Sequence, residues 1–344
     1  MNTIKAISFV LLTALLLNCS NDDTTVQPTN AEQLKGSWKL TSGNFNGNQT
    51  KYAIFNGNNI KLLFQDELGF KSRFDHNVIE NITETTFTYN AQGPTVYTYT
   101  ISGNTLTVSE STLNTTATFT RNDDASIYDN WIQTINREIE TATPWAHATD
   151  IEFINFDSNR LIIGYDDSSG FLSSLNTVTL STDGGVRINR EARAVTYDLG
   201  GDLFLHSNAN DQLLYATETD GTEINFADLL LDMPINYLSY HNDNIWIAST
   251  AANTIIFHND LGQEQYVLNK RPYGIEYTNG HLYISTLDYI HKCQRIENQL
   301  QAIETYEISD SGGVYGLTSD GNNLWINTQH SGKDDKLIKT DITF

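Results

Sequence analysis

The feature that most restricts this chain is a phrase written five times. "RLIIGY" (160–165), "DLFLHS" (202–207), "NIWIAS" (244–249), "HLYIST" (281–286) and "NLWINT" (323–328) align on Leu161, Leu203, Ile245, Leu282 and Leu324, in steps of 42, 42, 37 and 42 residues. The last two copies sit inside longer echoes, "YGIEYTNGHLYIST" (273–286) and "YGLTSDGNNLWINT" (315–328). A β-branched and aromatic unit of this length cannot bury its apolar faces alone. It does so by arranging small sheets radially, as a β-propeller. The period and composition exclude leucine-rich and helical-hairpin repeats.

Each copy alternates two uncharged faces. Ile245 and Ile247 oppose Trp246 and Ala248, Leu282 and Ile284 oppose Tyr283 and Ser285, and Leu324 and Ile326 oppose Trp325 and Asn327. Such strands are covered on both sides by neighbouring sheets, so their aromatics are expected to pack between blades. Asp183-Gly184, Asp220-Gly221, Asn279-Gly280 and Asp320-Gly321 are hairpin signals. One unit then reads as the strands "INYLSYH", "NIWIAST", "TIIFHND" and "QEQYVLN" over 235–269. The last unit stops after "KLIKTDITF" (336–344), one strand short, and "YDNWIQTI" (128–135) is expected to supply it and close the ring. The count is five blades, with six as the alternative.

The wording "Y-G-[IL]…D-G-N-x-L-W-I" resembles the NHL, streptogramin-lyase-like and two-component-regulator propellers over roughly residues 145–344. That is a blade signature and carries no catalytic group. Streptogramin-lyase-like enzymes carry a metal and a His pair at the ring mouth; the eight His here do not recur at equivalent positions. By analogy with such rings, a ligand meets the loops that enter the inner strands. Nine residues before each aligned Leu or Ile stand Glu152, Ala194, Asn236, Tyr273 and Tyr315. Asp150, Arg193 and Arg271 flank them, and "QHSGKDDK" (329–336) adds His330 and Lys333. Acids, Arg and Tyr around one opening suit a polar ligand such as a glycan or peptide.

Residues 34–123 lack the forty-residue period. "YTYTISGNTLTVS" (97–109) and "TTATFTRND" (115–123) alternate Thr with apolar or aromatic residues, and about eight short strands fit the interval. Gly36-Ser37-Trp38 and "SGNTLTV" resemble the lipocalin-like domains of Bacteroidetes lipoproteins. The resemblance implies a small β-barrel with Trp38 plugging one end. Phe55, Phe64, Phe74, Phe87, Tyr97 and Tyr99 would fill it or line a cavity for one apolar ligand.

The first residues, "MNTIKAISFVLLTALLLNC", hold an apolar run from Ala6 to Leu17, too short to span a bilayer and of signal-peptide length. "LLNC" (16–19) resembles a lipobox, which makes Cys19 the acylated residue. Ser20, Asn21, Asp22 and Asp23 behind it resemble the surface-export signal of Bacteroidetes lipoproteins. The chain therefore divides into a leader (1–18), an acylated Cys and polar tether (19–33), a barrel (34–123) and a propeller (124–344). The other Cys, Cys293, has no disulfide partner once Cys19 is acylated and reads as a buried apolar residue.

A net charge of −22 opposes contact with nucleic acid and anionic lipid. Nucleophile-elbow, zinc-protease, C-x-x-C, phosphate-loop and EF-hand patterns are all missing from the sequence, so no cofactor, metal or catalytic residue is assigned. Acid pairs such as Asp123-Asp124 and Asp334-Asp335 are expected in solvated turns. The expectation is an all-β, outer-membrane lipoprotein facing the cell exterior. It binds a glycan, a peptide, a small apolar molecule or an outer-membrane protein. The alternative is a propeller enzyme of the glycan-degrading or lyase class.

Overall fold

The computed structural model describes residues 28–344 apart from 48, 91–92, 111, 146, 155–158, 166–169, 189, 209–211, 225–230, 309–311 and 330–333. The leader, Cys19 and the "SNDD" segment lie outside the described residues, as do His330 and Lys333. Among the described residues no helix is long and apolar enough to cross a membrane. The fold is all-β.

Eight antiparallel strands form a closed barrel: β1 (Gly36–Gly43), β2 (Thr50–Asn56), β3 (Asn59–Gln65), β4 (Lys71–Glu80), β5 (Thr86–Asn90), β6 (Pro94–Ser102), β7 (Thr105–Glu110) and β8 (Thr115–Asn122), with β8 pairing back onto β1. The alternating strands turn Phe55, Phe87, Tyr97, Tyr99, Leu106 and Phe119 inward, where they pack on one another. Phe64 is partly buried against this cluster, whereas Phe74 faces outward and is 54% exposed. A short helix, α1 (Asn30–Leu34), capped reciprocally by Thr29 and Glu32, closes one end. Trp38 fills that end fully buried. Its Nε1 donates to the Leu34 carbonyl at 2.8 Å, and the Arg121 guanidinium lies 4.2 Å from the ring centroid.

The remaining described strands form five sheets. They are β11 (Ala148–Ile154) to β12 (Arg160–Tyr165), β13 (Phe171–Asn176) and β14 (Ser181–Arg187); β15 (Ala194–Asp198) to β16 (Leu203–Ser207), β17 (Tyr215–Glu218) and β18 (Glu223–Ile224); and β19 (Tyr237–His241) to β20 (Asn244–Ser249), β21 (Thr254–Asn259) and β22 (Gly262–Val267). The fourth is β23 (Gly274–Thr278), β24 (His281–Ser285), β25 (Ile290–Ile296) and β26 (Gln299–Ile308); the fifth is β27 (Gly313–Ser319), β28 (Asn323–Gln329) and β29 (Lys336–Thr343). The inner strands β11, β15, β19, β23 and β27 contact one another in cyclic order, which makes a five-bladed propeller. The five repeated phrases are its second strands.

The two-faced reading of those strands describes the packing between blades. Ile245 and Ile247 join the core shared with the blade before, while Trp246 and Ala248 join the core shared with the blade after. Leu282 and Ile284 likewise face backward and Tyr283 forward, and Leu324 and Ile326 face backward and Trp325 forward. Asn279 and Gly280 both take positive φ (49° and 76°) between β23 and β24, the two-residue turn that matches strand twist. Asp183-Gly184 does something else: it lies inside β14, where the pairing with β13 shifts register, so it makes a bulge and not a hairpin.

Ring closure differs from expectation by one segment. The strand that completes the last blade is β10 (Arg137–Ala142), antiparallel to β29. The preceding β9 (Gln133–Ile135) instead runs parallel to β26 as a fifth strand of the fourth blade. Tyr128, Trp131 and Ile132, placed by sequence in the closing strand, form a turn buried against Leu63 of the barrel. Their aromatic and apolar side chains join the two domains. The loop between β3 and β4 and the start of β4 extend that joint: Phe70 packs on His291 at 4.6 Å, Ala302 N donates to the Leu68 carbonyl at 2.8 Å, and Arg73 on β4 pairs with Glu307.

Candidate functional site

The axis of the ring is built from one repeated position on the inner strands. Glu152, Thr196, Ser239, Glu276 and Thr318 occupy it, and each accepts the backbone N–H that follows the same position in an adjacent blade. Thr318 Oγ1 accepts from Phe153 N at 2.8 Å, Thr196 Oγ1 from Tyr240 N at 2.9 Å, and Ser239 Oγ from Tyr277 N at 2.9 Å. Glu152 accepts from Tyr197 N, and Glu276 from Ser319 N. Five side chains thus make a closed belt that satisfies inner-edge donors otherwise buried without partners. Three hydroxyls suffice for three blades; in the other two the belt residue is a carboxylate.

Those carboxylates are buried. Glu276 Oε2 accepts from Ser239 Oγ at 3.1 Å, whereas Glu152 Oε2 is buried with no hydrogen-bond partner. Burial pushes both acids well above the ordinary Glu range, and for Glu152 the neighbouring Glu276 and Asp150 push further in the same direction. Burial therefore holds both acids toward their protonated forms.

Asp150 stands one level higher, two residues before the belt on β11, and is fully buried. Its Oδ2 accepts from Val195 N at 3.1 Å and Leu238 N at 3.3 Å, and its Oδ1 from Ile151 N at 3.1 Å. Burial raises its pKa and these three N–H groups oppose the rise. The side chain fits because the equivalent positions on β23 and β27 are Gly274 and Gly316. A Cβ on Gly316 would lie 2.8 Å from Asp150 Cα and 2.7 Å from Ile151 N. Asp150 is therefore a stopper: it ties three blades together and closes the axis beneath the mouth.

The mouth layer comes one residue earlier, at Thr149, Arg193, Asn236, Tyr273 and Tyr315. Thr149 Oγ1 donates to the Arg193 carbonyl at 2.7 Å, and Asn236 Oδ1 accepts from Thr250 N at 2.8 Å. Tyr273 and Tyr315, both half-buried, meet edge to face with centroids 5.5 Å apart. Burial raises Tyr315, with Tyr273 and Asp335 adding and Arg193 opposing. Burial also raises Tyr237 just below, again with Arg193 opposing. Arg193 thus sits among these phenols. Arg271 is exposed nearby, and Trp145 (47% exposed) stands on the rim of the first blade against Tyr165 and Phe171 at 5.4 and 5.2 Å.

Of the residues chosen by sequence, Arg193, Asn236, Tyr273 and Tyr315 share the mouth layer and Arg271 lies beside it. Asp150 and Glu152 belong to the closed axis below. The fixed nine-residue offset failed because it counts loop residues. The first-blade connection is longer, so the offset reaches the belt at Glu152, the level of Asp150 at Ala194, and the mouth at Asn236, Tyr273 and Tyr315. Glu276, Tyr237 and Asp335 were missed. Asp335 is buried and accepts from Ala148 N at 3.1 Å, so it is no solvated turn residue. Hydroxyl or acid recurrence six or seven residues before the aligned Leu would have revealed Glu276.

No family model matches the chain, and no curated protein matches it. Among solved structures it is similar to glutaminyl cyclase of Myxococcus xanthus (11% identity, covering 61% of this chain and 97% of that one, TM-score 0.46). It is also similar to a Bacteroides thetaiotaomicron protein of unknown function (11% identity, 76% and 68% covered, TM-score 0.44). A third likeness is to the PQQ-bound aldose sugar dehydrogenase of Streptomyces coelicolor (10% identity, 60% and 97% covered, TM-score 0.42). These likenesses go no further than the fold.

Proposed function

We propose that this chain is a lipid-anchored surface protein whose propeller mouth binds a polar ligand, a glycan or a peptide. The observation that carries the reading is the blind mouth: the Tyr273–Tyr315 pair and Arg193 stand over an axis that Asp150 closes. Tyrosine faces offer flat, amphipathic contact area, and Arg offers a planar fork for carboxylates or hydroxyls. The acids that would suit hydrolysis or elimination, Glu152 and Glu276, lie beneath the stopper and are occupied in holding blades together. This arrangement favours binding over the glycan-degrading or lyase alternative.

The test is a ligand array probed with wild type and an Arg271→Ala/Tyr315→Ala double variant. Loss of binding with an unchanged melting temperature supports the reading; retained binding refutes the mouth as the site. The anchor rests on the sequence around Cys19. In Cys19→Ala, radiolabelled palmitate should no longer be incorporated and the protein should leave the membrane fraction. Persistent labelling refutes it.

A further inference from the structure

The gap between the first two blades is underfilled on the face opposite the mouth, where β11 ends and β12 begins. A cavity of about 450 Å³ opens there. Strand register shows why. In the third blade Trp246 pairs with the belt residue Ser239 on one side and with Phe257 on the other, and Tyr266 lies beyond on β22. These rings pack toward Tyr277 of the next blade, with Trp246 at 24° to Tyr266 and 20° to Tyr277, and leave a cavity of only about 150 Å³. In the first blade the same three positions are Ile162, Ser174 and Val186, and Tyr197 of the second blade stands where Tyr277 does. All four line the larger cavity. The belt-paired position is aromatic in each of the last three blades, at Trp246, Tyr283 and Trp325. In the second blade it is Leu205, and Leu231 and Ile235 fill that gap. The first blade has small side chains and no such filling. One polar group is left over: Ser174 is 4% exposed, and its Oγ has no hydrogen-bond partner. A hydroxyl buried in that way costs stability unless something pairs with it. Gly184 and Gly185 of the β14 bulge and Thr219 across from them are exposed, so the space opens to solvent.

We propose that this gap is a second binding site, for a small, neutral, planar aromatic molecule with one N–H or O–H donor, of which indole is the simplest form. A flat ring takes the place that the Trp246 ring takes two blades further on, and its donor meets Ser174 Oγ. An aliphatic ring is too thick for a gap whose counterpart is filled by near-parallel planar side chains. An aromatic ring without a donor leaves the serine unpaired. Arg160 and Asp183, both exposed, border the opening and pair with each other at 3.0 Å, so neither sign of ligand charge is favoured.

The test is a ligand-observed NMR titration of the full-length chain with three probes. They are indole, its isostere benzofuran, which lacks the N–H, and cyclohexanol, which has a donor but no flat ring. Saturable indole binding is expected, with benzofuran about fivefold weaker and cyclohexanol not detectably bound. Ser174→Ala should remove the preference for indole over benzofuran without lowering the melting temperature. Ile162→Trp, which gives the first blade the side chain of the third, should abolish binding of both and keep or raise the melting temperature. Val186→Tyr makes the same test at a half-buried position and decides the matter if Ile162→Trp does not fold. The Arg271→Ala/Tyr315→Ala variant should bind indole as wild type does, which separates this site from the ring mouth. Absence of saturable indole binding, equal binding of benzofuran or cyclohexanol, undiminished binding by a folded Ile162→Trp or Val186→Tyr variant, or loss of binding in the mouth variant overturns the proposal.

Discussion

The buried acids of the axis make the ring's stability depend on pH in a direction opposite to that of an ordinary acidic protein. In the unfolded chain Glu152 and Glu276 release their protons near 4.5 and Asp150 near 3.8. In the folded ring burial raises all three. Between the two values the unfolded chain has lost protons that the folded chain keeps, so this contribution is full at low pH and is lost as pH rises. Each retained proton costs about 1.4 kcal/mol per pH unit. One retained proton sets the minimum slope, and all three acids together would give about 4 kcal/mol per unit.

Histidines act the other way and must be separated. Burial pushes His206 down to about 4 and His291 well below its usual range, so both destabilise the fold as pH falls below about 6.5. Above about pH 7 they are silent, and the lowered carboxylates Asp320, Glu140 and Glu304 are fully ionised. Glu276→Gln isolates the axis. Its amide oxygen can still accept from Ser239 Oγ, and the amide does not titrate. Urea unfolding from about pH 5 to 9 should show the variant gaining on wild type by about 1.4 kcal/mol per pH unit until the folded pair ionises. A difference flat in pH, or a variant less stable than wild type above pH 7, refutes the account of protons retained by burial.

Two other perturbations test the ring. Trp246 is buried between Phe257, Tyr277 and Tyr266 with centroids at 4.6, 5.4 and 6.3 Å, so Trp246→Ala should cost about 3–5 kcal/mol by urea unfolding. Its Nε1 has no hydrogen-bond partner, so Trp246→Phe should cost less than half as much. Deleting 336–344 removes β29, on which both β28 and the closing β10 depend, and should abolish the cooperative melting transition of the propeller in calorimetry.

What could be read in the sequence was periodic. The spacing of Leu161, Leu203, Ile245, Leu282 and Leu324 is a consequence of stacking like units about an axis, and blade number follows directly from it. The alternation of Trp246 with Ile245 and Ile247 is local to one strand and equally visible. Alternation marked residues 34–123 as short strands, whereas the barrel and its Trp38 plug came from the resemblance carried by Gly36-Ser37-Trp38 and "SGNTLTV". The failures are all non-local. Which segment near residue 130 closes the ring is decided by the barrel, because Tyr128, Trp131 and Ile132 pack on Leu63 and β10 pairs with β29 instead. The level of Glu152 depends on a hairpin length that no strand pattern encodes. Asp335 looks like any turn acid until Ala148 N is placed beside it by the closure of the ring.

That closure also explains why the barrel belongs to the ring and does not hang from it. The crossover between β9 and β10 is clamped at Asn136, whose N and Nδ2 donate to the two carboxylate oxygens of Asp341 at 2.9 and 2.7 Å. The chain arriving from the barrel is thereby fixed to β29. On the other side, Phe70 and Arg73 of the barrel meet Tyr289 and His291 of the fourth blade. The turn that carries Tyr289 is itself tied to the fifth blade, because Val314 N donates to the Leu287 carbonyl at 2.7 Å, one residue from Tyr315 of the mouth. Barrel, fourth blade and mouth therefore form one continuous run of contacts. The barrel acts as a brace on the pair of blades that present Tyr273 and Tyr315.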